Sequence, residues 1–197
     1  YRLIEELVAD GGGDWVDRFA VPLPLFVIGR QMGLPDEELP RIKHFTDAWI
    51  RRLGLMQDEE DMRRSVEVEA ETRAYFQEHF DRLRREPDET LLSVLVNREI
   101  PEWGRTLTDN ELHTEVMADL FVGGSETTTN ALAEGVCLLI NNPDVWDRLK
   151  SDPVKYLEPF CEEVLRLEGP VQGLLRETVV DMELHGVEIP AGAVVML

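Results

Sequence analysis

The segment Gly123-Gly124-Ser125-Glu126-Thr127 is the most informative feature of the sequence, because it interrupts what is otherwise one long helical pattern. Upstream, Thr108 and Glu111 have the Thr-x-x-Glu form of a capping box, in which each side chain satisfies a backbone donor at a helix start. The helix that this box opens is predicted to run to about Asn141, where Pro143 ends it. At about 1.5 Å of rise per residue, such a helix is on the order of 50 Å long and can cross a whole domain.

The glycine pair has an acid and a hydroxyl beside it, and two glycines inside a helix this long ask for a reason. Each glycine costs roughly 1 kcal/mol relative to alanine, but it also bares the backbone, so that a flat or bulky ligand can lie against it. Thr127 follows Gly123 by four residues, where its hydroxyl can bond that carbonyl or compete for it and open the helix. Glu126 adds a proton source, so the set suits oxygen chemistry. The plainer alternative is a close helix crossing at small residues, with Glu126 facing solvent.

Glu163 and Arg166 form a second pair of chemical interest. They are three residues apart, so on a helix they share a face and attract each other by a few tenths of a kcal/mol. That face lies opposite an apolar stripe of Cys161, Val164 and Leu165. Periodicity alone therefore favours a solvated surface pair.

Hydrophobic periodicity predicts helices along most of the chain. The predicted helices cover residues 1–9, a segment that begins after Pro22 and Pro24 and ends near Gly33, residues 35–53, 58–85 and 87–95, and, beyond the long helix, residues 144–150 and 157–165. After residue 170, apolar residues alternate with turn residues such as Gly186 and Gly192, which predicts short strands. The predicted fold class is therefore mainly α, with a long central helix and short β-strands at the C-terminal end.

Composition narrows the range of partners. The 197 residues suit one domain, and the formal net charge of −20 opposes binding to nucleic acid or to an anionic membrane surface. No apolar stretch approaches the roughly 20 residues that a membrane-spanning helix needs, and no signal peptide opens the chain. We therefore expect no nucleic-acid partner, no membrane partner and a cytoplasmic location.

The cysteines and histidines show no metal-ligand spacing. Cys137 and Cys161 lie in apolar helical surroundings and are predicted to be reduced thiols in the core. The four histidines are predicted to lie at the surface or at helix caps; they are His44, His79, His113 and His185. No metal cluster of protein ligands is expected.

Taken in order, these motifs resemble those of a cytochrome P450, a haem-thiolate monooxygenase. That family carries Ala/Gly-Gly-x-Asp/Glu-Thr in a long helix over one face of the haem, and residues 123–127 fit at every specified place. Further family-like motifs follow in the family's order: Asn-Pro-Asp at 142–144, Glu-Glu-Val-Leu-Arg at 162–166, Gly-Pro-Val-Gln-Gly at 169–173 and Leu-Leu-Arg-Glu-Thr at 174–178. The resemblance covers the whole chain and implies the cytochrome P450 fold.

The resemblance implies a role for each motif residue. Gly123 and Gly124 would line an oxygen groove beside haem b, while Glu126 and Thr127 would relay protons to the bound dioxygen. Arg176 would pair with a haem propionate, a task for which the planar donor fork of arginine is suited. The other implied residues are Phe121, Val122, Gln172 and Gly173, which would border the substrate, and Glu163 and Arg166, which would be buried against the loop that leads to the haem cysteine.

The resemblance also implies that residues 1–197 are an internal part of a soluble, bacterial-type P450 domain. The N-terminal part and the C-terminal segment with the cysteine ligand of haem iron would lie outside the chain, which would then hold no metal ligand and be inactive alone. The intact parent would insert one atom of dioxygen into a small organic substrate and reduce the other to water. Its electrons would come from NAD(P)H through a reductase and a ferredoxin or flavodoxin.

Two alternatives stay open at this point. One is a non-catalytic haem-thiolate relative with the same scaffold, and the other is an acidic helical binding module unrelated to haem. The substrate is open among steroids, fatty acids, terpenes and macrolides. The helices from Pro35 to Arg85 are expected to roof the substrate pocket; the apolar residues expected to line it are Trp49, Leu53, Leu55 and Met56.

Overall fold

The computed structural model describes residues 1–53 and 58–197 and is mainly helical, as the sequence predicts. The α-helices are α1 (Arg2–Ala9), α2 (Pro22–Gln31), α3 (Leu39–Leu53), α4 (Glu59–Arg85), α5 (Leu91–Asn97), α6 (Asp109–Thr114), α7 (Gly123–Asn141), α8 (Pro143–Ser151) and α9 (Pro153–Leu167). π-Helical segments, Val16–Ala20 and Glu115–Val122, precede α2 and α7, and a 3-10 turn, Asp36–Glu38, precedes α3. The strands are β1 (Leu175–Glu177), β2 (Met182–Leu184), β3 (Val187–Ile189) and β4 (Val194–Met196).

The chain divides into two compact units, Tyr1–Ala133 and Glu134–Leu197, with the boundary inside α7. The hydrophobic core of the first unit forms where α3, α4 and the π-helical segment 115–122 pack together. Phe76 of α4 packs against Phe121 with ring centroids 5.8 Å apart. Aromatic contacts of this kind add to area burial, and they fix the π-helical segment against α4.

The long charged helix predicted between residues 58 and 85 is confirmed as α4, which has 27 residues. Asp58 caps it, because its side chain accepts the backbone N–H of Asp61 at 2.8 Å. Its buried positions include Phe76, Phe80 and Leu83, which lie on one face. Within the described residues, neither α4 nor any other helix is both long enough and apolar enough to cross a membrane.

The capping box predicted at Thr108 is confirmed. The backbone N–H of Thr108 donates to Glu111 Oε2 at 2.8 Å, and the backbone N–H of Glu111 donates to Thr108 Oγ1 at 3.4 Å. The two side chains satisfy donors that would otherwise have no partner in the first turn of α6.

The helical run that this box opens extends to Asn141, as predicted, but its geometry changes along the way. α6 ends at Thr114, a π-helical segment follows over Glu115–Val122, and α-helical geometry resumes at Gly123. π-Helical turns are rare and concentrate at functional sites. Here the π-helical segment ends at the glycine pair that the sequence singled out.

The predicted start of α2 was wrong by a few residues. The helix begins at Pro22 itself rather than after Pro24, and the π-helical turn Val16–Ala20 precedes it. Proline is tolerated in the first turn of a helix because the N–H that it lacks has no intrahelical partner there. The two prolines therefore start the helix instead of delaying it.

The predicted burial of the cysteines was also wrong, since Cys137 and Cys161 are both exposed. In the second unit, α7 and α9 contact each other through faces that do not carry these cysteines. Their close approach is at Gly135, where an added Cβ would lie 3.6 Å from Val164 Cγ2. The apolar stripe of α9 is thus covered at Val164, which is buried, but not at Cys161 or Leu165.

One histidine departs from the predicted surface position. His113 on α6 is only 7% exposed, and its ring centroid lies 4.9 Å from that of Phe80 on α4. Because α6 packs against α4, the ring is enclosed between the two helices.

The second unit pairs α8 with α9 and carries the short strands predicted after residue 170. β1 pairs antiparallel with β4, and β2 pairs antiparallel with β3. The turn between β2 and β3 places His185 at φ 51° and Gly186 at φ 82°. Two successive left-handed residues are typical of a tight hairpin turn, and glycine adopts such a conformation without strain.

Candidate functional site

The glycine pair bares the backbone of α7, as predicted. At Gly123, the nearest atom that an added Cβ would meet is the carbonyl oxygen of Ala118, 3.5 Å away, and at Gly124 it is a side-chain carbon of Ile28, 3.9 Å away. Gly123 is exposed, and Gly124 is half-buried. A flat ligand can therefore approach the helix backbone at Gly123, where a larger side chain would stand in its way.

The hydroxyl of Thr127 donates a hydrogen bond to the carbonyl oxygen of Gly123 at 2.7 Å. The sequence allowed this bond, or a competition for the carbonyl that would open the helix. Ser125 makes the same kind of bond to the carbonyl of Phe121. Both bonds lie where the π-helical segment gives way to α7, and hydroxyl bonds to a preceding carbonyl are known to bend helices slightly. The oxygen of Thr127 can still accept a hydrogen bond from another group.

Glu126 is paired with a lysine from another helix. Nζ of Lys43, on α3, donates to Glu126 Oε1 at 3.0 Å, and Thr46 Oγ1 lies 3.5 Å from the same oxygen. The side chains of Lys43 and Glu126 are 26% and 20% exposed. The alternative in which Glu126 simply faces solvent is therefore wrong, because the carboxylate is directed to α3 and is mostly shielded.

Lys43 is shared between two carboxylates, since it also bonds Asp47 one turn further along α3. Burial lowers the pKa of the Lys43 ammonium, while hydrogen bonds to Asp47 and Glu126 and the charges of these two acids raise it. The raising effects are larger together, so the pKa lies above its ordinary value. The ammonium stays charged at neutral pH and has a second partner whenever Glu126 moves away.

Two hydrogen bonds fix α7 to the segment that precedes α2, and sequence reasoning missed both. Thr129 Oγ1 donates to the carbonyl oxygen of Ala20 at 3.0 Å, and Trp15 Nε1 donates to that of Leu132 at 3.2 Å. Thr129 is buried, where an unpaired hydroxyl would be costly. These bonds hold the turn of α7 that follows the glycine pair.

Glu163 and Arg166, in the second unit, form the exposed pair that periodicity favours. Arg166 donates to the Glu163 carboxylate from Nε at 3.0 Å and from Nη2 at 2.6 Å. The arginine and glutamate side chains are 63% and 56% exposed, so the burial that the resemblance implies is not observed here.

Gln172, Gly173 and Arg176 are also exposed in the second unit. Arg176 lies in β1, where its Nη1 donates to the carbonyl of Leu175 at 2.9 Å. Gly173 has a packing reason to be glycine, because an added Cβ would lie only 3.2 Å from Cγ and Sδ of Met196. The substrate and propionate roles of these residues stay predictions.

Phe121 and Val122 are buried rather than placed along an open wall. The ring of Phe121 is fully buried in the core of the first unit. Its proposed role at the edge of a substrate pocket therefore stays a prediction, and packing alone accounts for a large aromatic residue at this position.

A cavity of about 340 Å³ lies between α3, α4 and the start of the long helix. Trp49, one of the residues expected to line a pocket, is in its wall together with Phe45 and Val68. Leu55, Met56 and the side chain of Leu53, which carried the same expectation, lie outside the described residues. Among residues 1–53 and 58–197, no group of His, Cys, Asp or Glu side chains is arranged to hold a metal ion.

Comparison with known proteins identifies the family. Residues 47–197 match the sequence profile of the cytochrome P450 family, and the chain belongs to this family. It is 33% identical over 195 residues to a steroid C26-monooxygenase of Mycobacterium tuberculosis (strain CDC 1551 / Oshkosh), with 99% of this chain and 51% of that protein covered. It is 34% identical over 198 residues to the cytochrome P450 monooxygenase PikC of Streptomyces venezuelae, with 99% and 45% covered.

A solved structure shows the same fold. The crystal structure of P450BioI in complex with acyl carrier protein ligated to hexadec-9Z-enoic acid matches with a TM-score of 0.90 at 25% identity, covering 99% of this chain and 49% of that one. The predicted P450 fold is confirmed. The chain spans about half the length of the relatives that it matches.

Proposed function

We propose that the intact protein is a haem-dependent monooxygenase, which activates dioxygen and inserts one oxygen atom into an organic substrate. The bared backbone at Gly123 carries this proposal, because it lies within one turn of the Thr127 hydroxyl and the Glu126 carboxylate. A ligand face, a hydroxyl and a titratable acid are thereby placed together. The monooxygenase names of two relatives support the class.

The glycine pair fits one face of a haem. The nearest atom that an added Cβ at Gly123 would meet is the carbonyl oxygen of Ala118, 3.5 Å away, and the missing side chain leaves the flat surface that a planar macrocycle needs. Arg176 is exposed and has donors beyond the one bonded to Leu175, so we assign it to a propionate. Bound haem would supply the redox chemistry that activates dioxygen. We assign the thiolate that would hold the haem iron to a segment of the intact protein beyond residue 197, and not to the exposed thiols Cys137 and Cys161.

In this proposal, Thr127 and Glu126 deliver protons. The Thr127 hydroxyl bonds the Gly123 carbonyl at rest, so it accepts a hydrogen bond from groove water first and passes a proton on when it turns from the carbonyl. Glu126 is free to move when Lys43 transfers its hydrogen bond to Asp47, since that lysine already contacts both acids. A carboxylate released in this way can take a proton from solvent and carry it to Thr127.

We infer the electron source and the cellular location from the family. We propose that electrons come from NAD(P)H through a reductase and a ferredoxin or flavodoxin, and that the protein is cytoplasmic. For the substrate we propose a small, largely apolar molecule. A steroid is the first class to test, because one relative is a steroid C26-monooxygenase, and a fatty acyl chain on a carrier protein is the second, because of the P450BioI complex.

The test is isotopic. The protein expressed from its complete reading frame is incubated with NADPH, a surrogate ferredoxin, its reductase and a steroid panel under ¹⁸O₂. We expect a product that carries one ¹⁸O atom, and no label when the oxygen is unlabelled and the water carries ¹⁸O. A haem-loaded protein with no oxygen-dependent product on either substrate class would favour the non-catalytic relative. A protein that takes up no haem would favour the acidic binding module.

A further inference from the structure

We infer that Thr129 is a positioning residue for Thr127, and that it acts by supplying a hydrogen-bond donor that Pro24 cannot give to the backbone. The bond ties one face of α7 to the start of α2, and it thereby holds the opposite face, which carries Thr127, in one orientation at the groove. This role rests on the proposed function, in which Thr127 delivers protons.

The carbonyl of Ala20 lacks the donor that α-helical geometry would give it. In an α-helix the carbonyl of residue i accepts from the N–H of residue i+4, and for Ala20 that residue is Pro24, which has no N–H. The next N–H, that of Leu25, belongs to the carbonyl of Val21, the N-cap of α2. Ala20 is fully buried, so solvent does not replace the missing donor. Its carbonyl would be a costly unpaired group without a side-chain donor.

The hydroxyl of Thr129 supplies that donor from another helix. Its Oγ1 donates to the carbonyl oxygen of Ala20 at 3.0 Å. Thr129 is itself buried, so the hydroxyl and the carbonyl satisfy each other away from water. The two residues are 109 positions apart along the chain. The bond therefore fixes the distance between two helical elements, and it does not merely complete the geometry of one.

The same part of the chain contacts α7 at further places. Trp15, the N-cap of the π-helical turn Val16–Ala20, donates from Nε1 to the carbonyl oxygen of Leu132 at 3.2 Å. Ile28 of α2 is the nearest side chain to Gly124, where an added Cβ would lie 3.9 Å from its carbon atoms. Residues 15–28 therefore lie along α7 from Gly124 to Leu132.

The tie at Thr129 is on the far side of α7 from Thr127. At about 100° per residue, Thr129 points about 200° from Thr127 around the helix axis. Thr127 follows Gly123 by four residues and so lies only about 40° from it. A change in the bond at Thr129 can therefore turn or shift the face that carries Thr127 and Gly123 without touching either residue.

This control matters because the Thr127 hydroxyl has to exchange partners. It bonds the carbonyl of Gly123 at 2.7 Å, and in the proposed mechanism it turns from that carbonyl to pass a proton on. A small displacement of a reacting group costs much of the benefit of its placement. Thr129 itself faces α2, so its effect reaches the groove only through the orientation of α7.

The first experiment measures the tie directly in the protein expressed from its complete reading frame. Thr129→Val removes the hydroxyl and keeps the shape of the side chain. We expect it to lower the midpoint of thermal unfolding and to speed amide hydrogen exchange in residues 124–132 by about tenfold. Thr129→Ser, which keeps the hydroxyl, and Thr128→Val, at the exposed neighbour, should leave both quantities close to those of the unsubstituted protein.

Pro24→Ala separates the two consequences of the bond. It returns an N–H to the position that can serve the Ala20 carbonyl within its own helix. In the Pro24→Ala background, Thr129→Val should therefore lower the unfolding midpoint less than it does alone. The faster exchange of residues 124–132 should remain, because the tie between the two helices is still absent.

The second experiment measures product formed per NADPH in the same variants. Thr129→Val should lower this ratio by about threefold, a smaller loss than that from removing the Thr127 hydroxyl itself. Thr129→Ser should retain most of the ratio, and adding Pro24→Ala to Thr129→Val should not restore it. Thr127→Ala/Thr129→Val should be no worse than Thr127→Ala alone, because both changes act through the same hydroxyl.

The contrary outcomes are distinct. A loss of product per NADPH that adds to that of Thr127→Ala, or that Pro24→Ala restores together with the unfolding midpoint, would give Thr129 a purely structural role and overturn the inference. Unchanged exchange of residues 124–132 in Thr129→Val would also overturn it. If the unsubstituted protein forms no product, the proposed function fails, and the exchange rates alone decide whether Thr129 holds α7. If Thr129→Val does not fold, the comparison is made in the Pro24→Ala background.

Discussion

The proposed chemistry depends most on the hydroxyl group of Thr127. Thr127→Ala in the intact protein should lower product formed per NAD(P)H by about tenfold or more, because a positioned proton donor contributes at least that much. The lost electrons should emerge as hydrogen peroxide, measured in the same reaction. Thr128→Ala is the matched control, because Thr128 is the next residue along the chain and its side chain is exposed. Normal coupling in Thr127→Ala would remove Thr127 from the proton path.

The ion pair between Lys43 and Glu126 gives a second prediction at this scale. Lys43→Met should lower the free energy of unfolding by about 1–2 kcal/mol, because it leaves a mostly buried carboxylate without its donor. In the double variant Lys43→Met/Glu126→Gln, the loss of unfolding free energy should be smaller than the sum of the losses in the two single variants by about 0.5–1 kcal/mol. Urea unfolding measures all three variants, and Arg51→Met on the same helix serves as the control. Additive costs would mean that the pair does not interact in solution.

The sequence pointed to Glu126 and Thr127 but could not point to Lys43. The chemistry of the first two is visible in their immediate neighbours, whereas Lys43 is 83 residues from its partner. On α3 it looks like any charged residue of an amphipathic helix. His113 was misjudged for a related reason, since burial depends on which helix covers a residue and spacing along one helix does not reveal that.

At the scale of secondary-structure elements, the helix starts at Asp58 and Thr108 were predictable, because capping is local. The capping box of α6 also makes a pH prediction. A hydrogen bond from Arg105, followed by bonds from the backbone and hydroxyl of Thr108, lowers the pKa of Glu111 from 4.5 to about 2. A lowered pKa means that the stabilisation is present above the ordinary pKa and is lost as the pH falls from about 5 towards 2.

Glu111→Gln should therefore reduce the loss of stability between about pH 5 and pH 2. Thermal unfolding measured between pH 6 and pH 2 should show a smaller acid loss for Glu111→Gln than for the unsubstituted chain. Glu102→Gln, an exposed change in the preceding loop, should retain the full loss. Identical acid profiles for Glu111→Gln and the unsubstituted chain would show that the box does not form in solution.

The errors at this scale concern the faces and limits of helices. Pro22 was read as an obstacle to a helix that it starts, because the first turn tolerates proline. Cys137 and Cys161 were placed in the core from their apolar neighbours, yet contact between α7 and α9 falls at Gly135 and Val164 instead. A periodic pattern identifies a helix and its stripe, but it does not say how much of the stripe a neighbour covers.

The whole chain carries a net charge of −20, which sets its response to salt. Single exposed ion pairs contribute little, whereas repulsion among an excess of like charges acts on the entire molecule. Raising NaCl from about 10 mM to about 100 mM shortens the screening length from about 30 Å to about 10 Å. The midpoint of thermal unfolding, followed by circular dichroism, should therefore rise by a few degrees. An osmotically matched sucrose series is the control, and a midpoint that falls with salt would mean that specific ion pairs outweigh the repulsion.

The fold class and family were predictable because several motifs recur in a fixed order along one chain. Residues 47–197 match the cytochrome P450 family, and the predicted mainly helical architecture with C-terminal strands is present. Trp49 was expected to line a pocket under these helices and does line the cavity, but the part that His113 takes in its wall was not predictable, because three separate elements enclose the cavity.

We propose that the intact protein holds haem beside the groove at Gly123 and binds the haem iron through a thiolate from another segment. The most direct measurement is the absorption spectrum of the reduced, carbon monoxide-treated protein expressed from its complete reading frame, together with its haem content. We predict one haem per protein and the red-shifted band of a thiolate-ligated haem. A protein without haem, or with a band typical of histidine-ligated haem, would show that the iron is not held by a thiolate.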